Sequence, residues 1–234
     1  PGVFIPRPET ETVVQAGIDW LTRERLSTPR IVDLCAGSGA IGLSLVTEVR
    51  GAQVWAVEKM PRTYDWTMRN WRRISRLDPL AADNYHLELG DATSGTTLAQ
   101  FDGTIDMVVT NPPYIPEAQI PEQPEVRDHD PKAALYGGSA DGTLIPERIV
   151  MRAAGLLRPG GVRPCFVERL CQHQRGGAQG YGGHPCTGAP QHKRRADGCC
   201  LRIAQQGAVA GQAGVQVVHR NLQAGHAVFD TCCG

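Results

Sequence analysis

Apolar positions in residues 1–162 follow two alternating rhythms. Val13, Val14, Gly17, Ile18 and Leu21 recur at helical spacing, behind Pro8, Glu9 and Glu11. Those three suit a helix's first turn, where acids meet the positive end of the dipole. Ile31 to Leu34 is a short apolar run closed by Ala36-Gly37-Ser38-Gly39, which predicts a strand and a tight turn. The same reading predicts a helix over Ala40–Val49, a strand over Gln53–Val57 ending in Glu58, and a helix over Pro61–Arg76. A third strand over Tyr85–Leu89 is closed by Gly90-Asp91, and a fourth over Ile105–Thr110 by Asn111-Pro112. Residues 115–142, rich in Pro, Gly and acids, read as a long loop. Thr143–Leu157 predicts a helix, Arg158-Pro159-Gly160-Gly161 a turn, and Val162 the start of a further strand.

Strands alternating with helices predict an α/β fold with a doubly wound, mostly parallel sheet. Ligands of such sheets bind beyond the carboxyl ends of the strands, near the switch point. Here those ends carry Gly37–Gly39, Glu58, Asp91 and Asn111, the expected rim of one cleft.

The rhythm stops after Val162. Residues 163–234 show no sustained periodicity outside Ala208–His219, and only Glu168, Asp197 and Asp230 among them are acidic. Seven of the eight cysteines lie in this part and all four tryptophans lie before it. The chain is therefore read as a core, 1–162, and an anomalous tail, 163–234. A disordered tail, a zinc module and an out-of-frame translation are the three readings. The Cys and His spacings match no paired CxxC pattern, so no metal is expected. Out-of-frame translation of a GC-rich coding sequence accounts best for the enrichment in Gly, Arg, Cys, His and Gln. The sheet is then expected to be incomplete at its C-terminal strands.

The core's single cysteine, Cys35, fits a reducing cytoplasm, and no segment reads as a membrane span or signal peptide. A net charge of zero announces no nucleic-acid partner. The chain opens on Pro1 and reads as a fragment, or as a protein that has lost its beginning.

Three constellations carry chemistry. Asp33-Leu34-Cys35-Ala36-Gly37-Ser38-Gly39-Ala40-Ile41-Gly42 runs a strand through a Gly turn into a helix, so the backbone can approach a ligand and offer unpaired N–H groups. Glu58 follows at the spacing where an acid reaches a ribose hydroxyl pair, which points to a nucleoside: a nicotinamide cofactor or S-adenosylmethionine. Asp91 after the third strand can accept from an adenine amino group or cap a turn, with equal weight. In Asn111-Pro112-Pro113-Tyr114 the Asn side chain and the Pro112 carbonyl can both accept from one NH2 group, and an aromatic ring follows for a flat partner. The box thus suits a planar amide or amine nitrogen.

The Asn-Pro-Pro-Tyr box with an Asp-x-x-x-Gly-x-Gly loop resembles the amino methyltransferases of DNA adenine, RNA guanine and protein glutamine. Pro6-Arg7-Pro8-Glu9-Thr10-Glu11 is similar to the signature of the HemK/PrmC protein-(glutamine-N5) methyltransferases. Asp130-Pro131-Lys132-Ala133-Ala134-Leu135-Tyr136-Gly137-Gly138, then Asp141-Gly142, resembles their post-box loop. The resemblance covers residues 1–162. It implies the Rossmann-like fold of S-adenosylmethionine-dependent methyltransferases, and N5-methylation of the glutamine in the Gly-Gly-Gln tip of peptide chain release factors.

By that resemblance the cofactor loop falls on Cys35, Ala36, Gly37, Ser38 and Gly39, and the ribose acid on Glu58. The adenine side falls on Asp91 and Ala92, and the substrate box on Asn111, Pro112, Pro113 and Tyr114, with Asn111 also beside the cofactor. Asn111, Pro112 and Tyr114 are the expected catalytic residues. Cys35 stands where many members have Gly. The family's N-terminal helical domain, which helps dock the release factor, is missing, and the apolar strands after the Arg-Pro-Gly-Gly turn are replaced by the tail.

The implied reaction is in-line attack of an amide nitrogen on a sulfonium methyl, driven by positioning and exclusion of water, with no general base. His129 reads as an exposed loop histidine. A nucleic-acid amino methyltransferase is the first rival, with Arg69, Arg72, Arg73 and Arg76 as its basic face; the acids Glu117, Glu122, Glu125, Asp128 and Asp130 would repel phosphates. An inactive, truncated product is the second.

Overall fold

The computed structural model describes residues 2–165, 199–204 and 214–219. In chain order the core runs α1 (Pro8–Glu24), β1 (Arg30–Leu34), α2 (Ala40–Glu48), β2 (Gln53–Glu58), α3 (Pro61–Leu77), the short α4 (Pro79–Ala82) and β3 (Tyr85–Leu89). It continues through β4 (Ile105–Thr110), α5 (Pro124–His129), α6 (Leu144–Leu156) and β5 (Leu157–Cys165). These strands lie parallel in the order β3-β2-β1-β4-β5. The chain moves outward from β1 through β2 to β3, then returns to place β4 on β1's other side. The switch point therefore lies between β1 and β4, where ligands of such sheets bind.

Burial explains why β1 and β4 read as largely apolar runs around the buried Asp33 and Asp106. Alternate residues of β1 and β4 face opposite layers, and both layers are covered. On one side Ile31, Met107 and Val109 pack with Trp20 and Leu21 of α1 and Leu45 of α2. On the other, Val32, Leu34 and Val108 pack with Ile149, Ala153 and Leu156 of α6. Among the described residues no helix is long and apolar enough to cross a membrane.

Two expectations are corrected. Residues 115–142 are not all loop: Pro124–His129 form one helical turn and a half, and Lys132–Ala134 a 3-10 turn. Six residues are too few to display a helical rhythm. The turn at 158–161 does not precede the strand but lies inside it. Ile105 pairs with Leu157 and Met107 with Val162, so β5 spends the extra residues on a bulge in which Gly160 takes φ +79°. Beyond Val162, β5 runs on to Cys165, and β6 (Cys199–Ala204) and β7 (Gly214–His219) extend the sheet antiparallel from β5. β7 lies within the stretch Ala208–His219 that the sequence sets apart, whereas β6 is a six-residue run too short to stand out. The remaining positions of the tail, including Cys171, Cys186, Cys232 and Cys233, lie outside the described residues.

Candidate active site

The rim forms because neighbouring strand ends are stitched to each other. Ala36 donates its N–H to the Val57 carbonyl (2.9 Å) and Gly90 to the Glu58 carbonyl (2.9 Å), tying the ends of β1, β2 and β3. The Thr110 hydroxyl donates to the Leu34 carbonyl at 2.6 Å and ties β4 to β1. Two strand spacings, about 10 Å, separate β2 from β4. The loop 35–39 sits between them, with Glu58 on one flank and Asn111 on the other.

The loop turns through a run of left-handed backbone, with φ +65° at Cys35, +60° at Gly37 and +80° at Gly39. A Cβ on Gly37 would meet nothing nearer than the Cys35 carbonyl oxygen at 3.9 Å, so the crest is open to a ligand. A Cβ on Gly39 would lie 2.7 Å from the Thr67 methyl, so that glycine lets the loop press onto α3. Two α3 side chains hold the crest from below. Thr67 donates to the Gly37 carbonyl at 2.6 Å, and Asn70 to the Ser38 carbonyl at 2.8 Å.

Glu58 is buried, and its two oxygens accept from the backbone N–H groups of Gly37 (2.9 Å) and Met60 (2.8 Å). A carboxylate offers about four acceptor positions. Both oxygens thus retain capacity for a diol, as a ribose requires. Asp91 is engaged as a turn residue. It accepts from the Lys59 ammonium at 2.8 Å and from the Thr93 hydroxyl and N–H at 2.7 and 2.9 Å. Those bonds, Lys59's foremost, hold its carboxyl down at about 2. Ala92 beside it is buried.

Asp33 lies directly under the loop and is fully buried. One oxygen accepts from Gly42 N–H at 3.0 Å. The other, like the Tyr85 hydroxyl, is buried with no hydrogen-bond partner among the described residues. Burial first, with the Glu58 charge adding, pushes the Asp33 carboxyl up to about 7 against the pull of Gly42.

The box begins at the carboxyl end of β4. Pro112 and Pro113 are buried, while Asn111 and Tyr114 are half-buried at the rim. The Asn111 amide nitrogen donates to the Thr10 hydroxyl at 3.4 Å. The post-box loop braces the box from behind. Tyr114 and Ile115 N–H both donate to the Leu135 carbonyl (3.1 and 2.8 Å), and Gly137 N–H to the Ile115 carbonyl (2.9 Å). Gly142, at φ +79°, packs so tightly that a Cβ there would lie 2.3 Å from the Tyr114 carbonyl oxygen. Arg7 pairs with the buried Asp130 carboxylate at 2.8 Å.

The predicted residues thus gather along one edge of the sheet, with Asp91 already committed to local partners. Thr10, Thr67 and Asn70 escaped sequence reasoning, which has no local signal for a helix hydroxyl that meets a distant loop. Arg69, Arg72, Arg73 and Arg76 form an exposed face of α3, and Arg69 stacks over its own neighbour Trp66. His129 is exposed.

Comparison with known proteins bears on this geometry. The family model described as "Conserved hypothetical protein 95" matches residues 5–127. The chain belongs to that family. It is 68% identical over 162 residues to a release factor glutamine methyltransferase of Bifidobacterium longum, covering 69% of this chain and 55% of that protein. It is 47% identical over 163 residues to the protein of the same name from Streptomyces coelicolor, covering 69% and 54%. A 4-amino-L-phenylalanine/4-methylamino-L-phenylalanine methyltransferase of Streptomyces pristinaespiralis is 37% identical over 165 residues, covering 69% and 53%. The chain spans about half the length of these curated relatives. The resemblance to HemK/PrmC enzymes read from the motifs is therefore borne out, and the parallel sheet β3-β2-β1-β4-β5 is the doubly wound α/β fold that the sequence predicts.

Proposed function

We propose that this chain carries the catalytic core of an S-adenosylmethionine-dependent protein-(glutamine-N5) methyltransferase, whose substrate is the Gly-Gly-Gln glutamine of a peptide chain release factor in the cytoplasm. The observation that carries the reading is the Asn111-Pro112-Pro113-Tyr114 box at the sheet's switch point, across β1 from Glu58. The relatives' names support the substrate, and the open crest of the 35–39 loop fits a nucleoside.

When bound, S-adenosylmethionine supplies a methyl group on a positively charged sulfur. The residues of this chain do the rest by position. Glu58 would take the ribose hydroxyls, and the loop 35–39 the adjoining part of the cofactor. Ala92 would line the adenine side. Asp91, spoken for by Lys59 and Thr93, orders that turn and has its adenine-facing role only through whatever capacity those bonds leave. Asn111 Oδ1 and the Pro112 carbonyl accept the two N–H bonds of the glutamine amide. That grip orients the nitrogen and biases its delocalised lone pair toward the methyl. Tyr114 covers the flat face of the amide. Orientation of this kind supplies up to roughly 7–11 kcal/mol. The proton leaves for solvent after attack, so no base is assigned.

A nucleic-acid substrate is the weaker reading. The arginines of α3 are spread over a solvated face, and the loop after the box exposes Glu117, Glu122, Glu125 and Asp128.

The test is transfer of labelled methyl to a release factor by the chain and by Asn111→Ala. The substitution is expected to lower turnover by about a hundredfold or more while cofactor affinity stays within a few-fold. Undiminished turnover in the variant would mean that the box is structural and the reading wrong.

A further inference from the structure

Pro6-Arg7-Pro8-Glu9-Thr10-Glu11 marks the resemblance, yet nothing in the proposed reaction uses it. Two of its side chains nonetheless reach the substrate half of the site. Thr10, buried at 6% exposure in the first turn of α1, accepts from the Asn111 amide nitrogen across 101 residues of chain. Arg7, the residue that caps α1, donates to Asp130 across 123 residues. The Asp130 side chain is only 4% exposed. The start of α1 is therefore fastened at two points, to the box and to the loop that braces it.

The chemistry of Asn111 gives the first fastening a purpose. An asparagine amide presents two ends of nearly equal shape, one a double donor and one an acceptor. Packing alone cannot choose between them. A glutamine NH2 facing the donor end would oppose N–H to N–H and lose its bond to Asn111, leaving only the Pro112 carbonyl to hold it. Something must hold the side chain with its oxygen toward the substrate.

We infer that Thr10 is a positioning residue for methyl transfer: by accepting from Asn111 Nδ2, it turns that end away and leaves Oδ1 as the acceptor for the substrate nitrogen. The Arg7–Asp130 pair keeps the helix start where that contact can form. At 3.4 Å the bond is long. Its effect is on orientation more than on stability. The inference rests on the reading of Asn111 as the amide clamp, and the two can fail separately.

The experiment compares Thr10→Val, which keeps shape and removes the acceptor, with Thr10→Ser, which keeps the hydroxyl. Thr10→Ala replaces Val should Val not fold. Four quantities are read on the full chain: kcat and KM with a Gly-Gly-Gln peptide, cofactor affinity, and the side-chain NH2 resonances of Asn111 in 15N-labelled protein. Thr10→Val is expected to lower kcat about tenfold, leave cofactor affinity within about twofold, and shift the Asn111 resonances, with Ser restoring kcat and the resonances. An unshifted Asn111 signal overturns the inference whether or not the chain turns over. So does a Val variant with wild-type kcat, or a Ser variant as impaired as Val. Asn111→Ala separates the two readings. If it stays active, the clamp itself is wrong; if it is inactive while Thr10→Val is unaffected, only the role of Thr10 falls.

Discussion

Gly37 donates its backbone N–H to the carboxylate of Glu58 at 2.9 Å, so the 35–39 loop and the acid proposed to take the ribose form one hydrogen-bonded unit. With Met60 N–H on the other oxygen, both carboxylate oxygens meet donors. Glu58→Gln would turn an NH2 group against one of them. The expected cost is about 1–3 kcal/mol of stability, since a buried donor is left unmatched. Cofactor binding is expected to weaken about tenfold or more. Thermal unfolding and calorimetric titration read the two effects. A Gln variant that melts and binds like the parent would show that the carboxylate is not shared in this way.

Gly142 is where the post-box loop meets the box. Alanine there places its Cβ 2.3 Å from a backbone oxygen and must also adopt φ +79°. Neither atom belongs to a flexible side chain, so the box has to move. Gly142→Ala is expected to cost about 1–3 kcal/mol and to depress methyl transfer far more than cofactor binding. Equal loss of both would instead indicate general unfolding of the site.

Cys35 holds φ +65° without being glycine. A residue with a Cβ is strained there by about 1–2 kcal/mol. Cys35→Gly should relieve this and raise the melting temperature, tempered by glycine's freer unfolded state. Cys35→Val, β-branched, should lower it. The contrast in sign between the two variants is the check; a destabilised glycine variant would mean that the cysteine side chain matters more than its backbone.

The buried Asp33 makes stability depend on pH in an unusual direction. In the unfolded chain its carboxyl ionises near 3.8, while in the folded protein burial holds the proton on until about 7. Between those values the folded state binds more protons, so stability falls as pH rises, by up to about 1.4 kcal/mol per pH unit. Above about 7 the slope from this group vanishes. Asp91 acts in the opposite sense and lower down, since its ionised form is favoured and is lost only as pH falls toward 2. Asp33→Asn keeps an acceptor for Gly42 N–H and should flatten the fall between about pH 4 and 7. Denaturant unfolding across that range measures it, and an unchanged slope would assign the dependence elsewhere.

The strands of the core and the polar residues at their ends were legible because both signals are local. Ile105–Thr110 is buried on both faces and apolar apart from Asp106 and Thr110, and the residue after it leaves the sheet. The Gly turn and Glu58 were found by spacing. What stayed hidden depends on contacts between distant segments. A threonine in a helix's first turn looks the same whether its hydroxyl meets water or Asn111. Thr67 and Asn70 lie on a helix whose exposed arginines draw the eye, while the face that supports the loop is polar and unremarked. Asp91 illustrates the opposite limit: its two readings, cap and ligand, share one sequence, and only Lys59 and Thr93 in place show that the cap is made.

The site is fastened on two scales of chain length. The bonds that hold the nucleoside loop span 21, 30 and 32 residues, and those that brace Tyr114 and Ile115 on Leu135 are similarly short, whereas the two from the start of α1, to Asn111 and Asp130, span 101 and 123. Closing the longer loops costs about 1 kcal/mol more in chain entropy. The longer bonds also begin in the first turn of α1, where helices fray. A local opening there would release the Asn111 side chain and leave the nucleoside loop standing. On the proposed reading, the orientation of the amide clamp can lapse while the grip on cofactor persists.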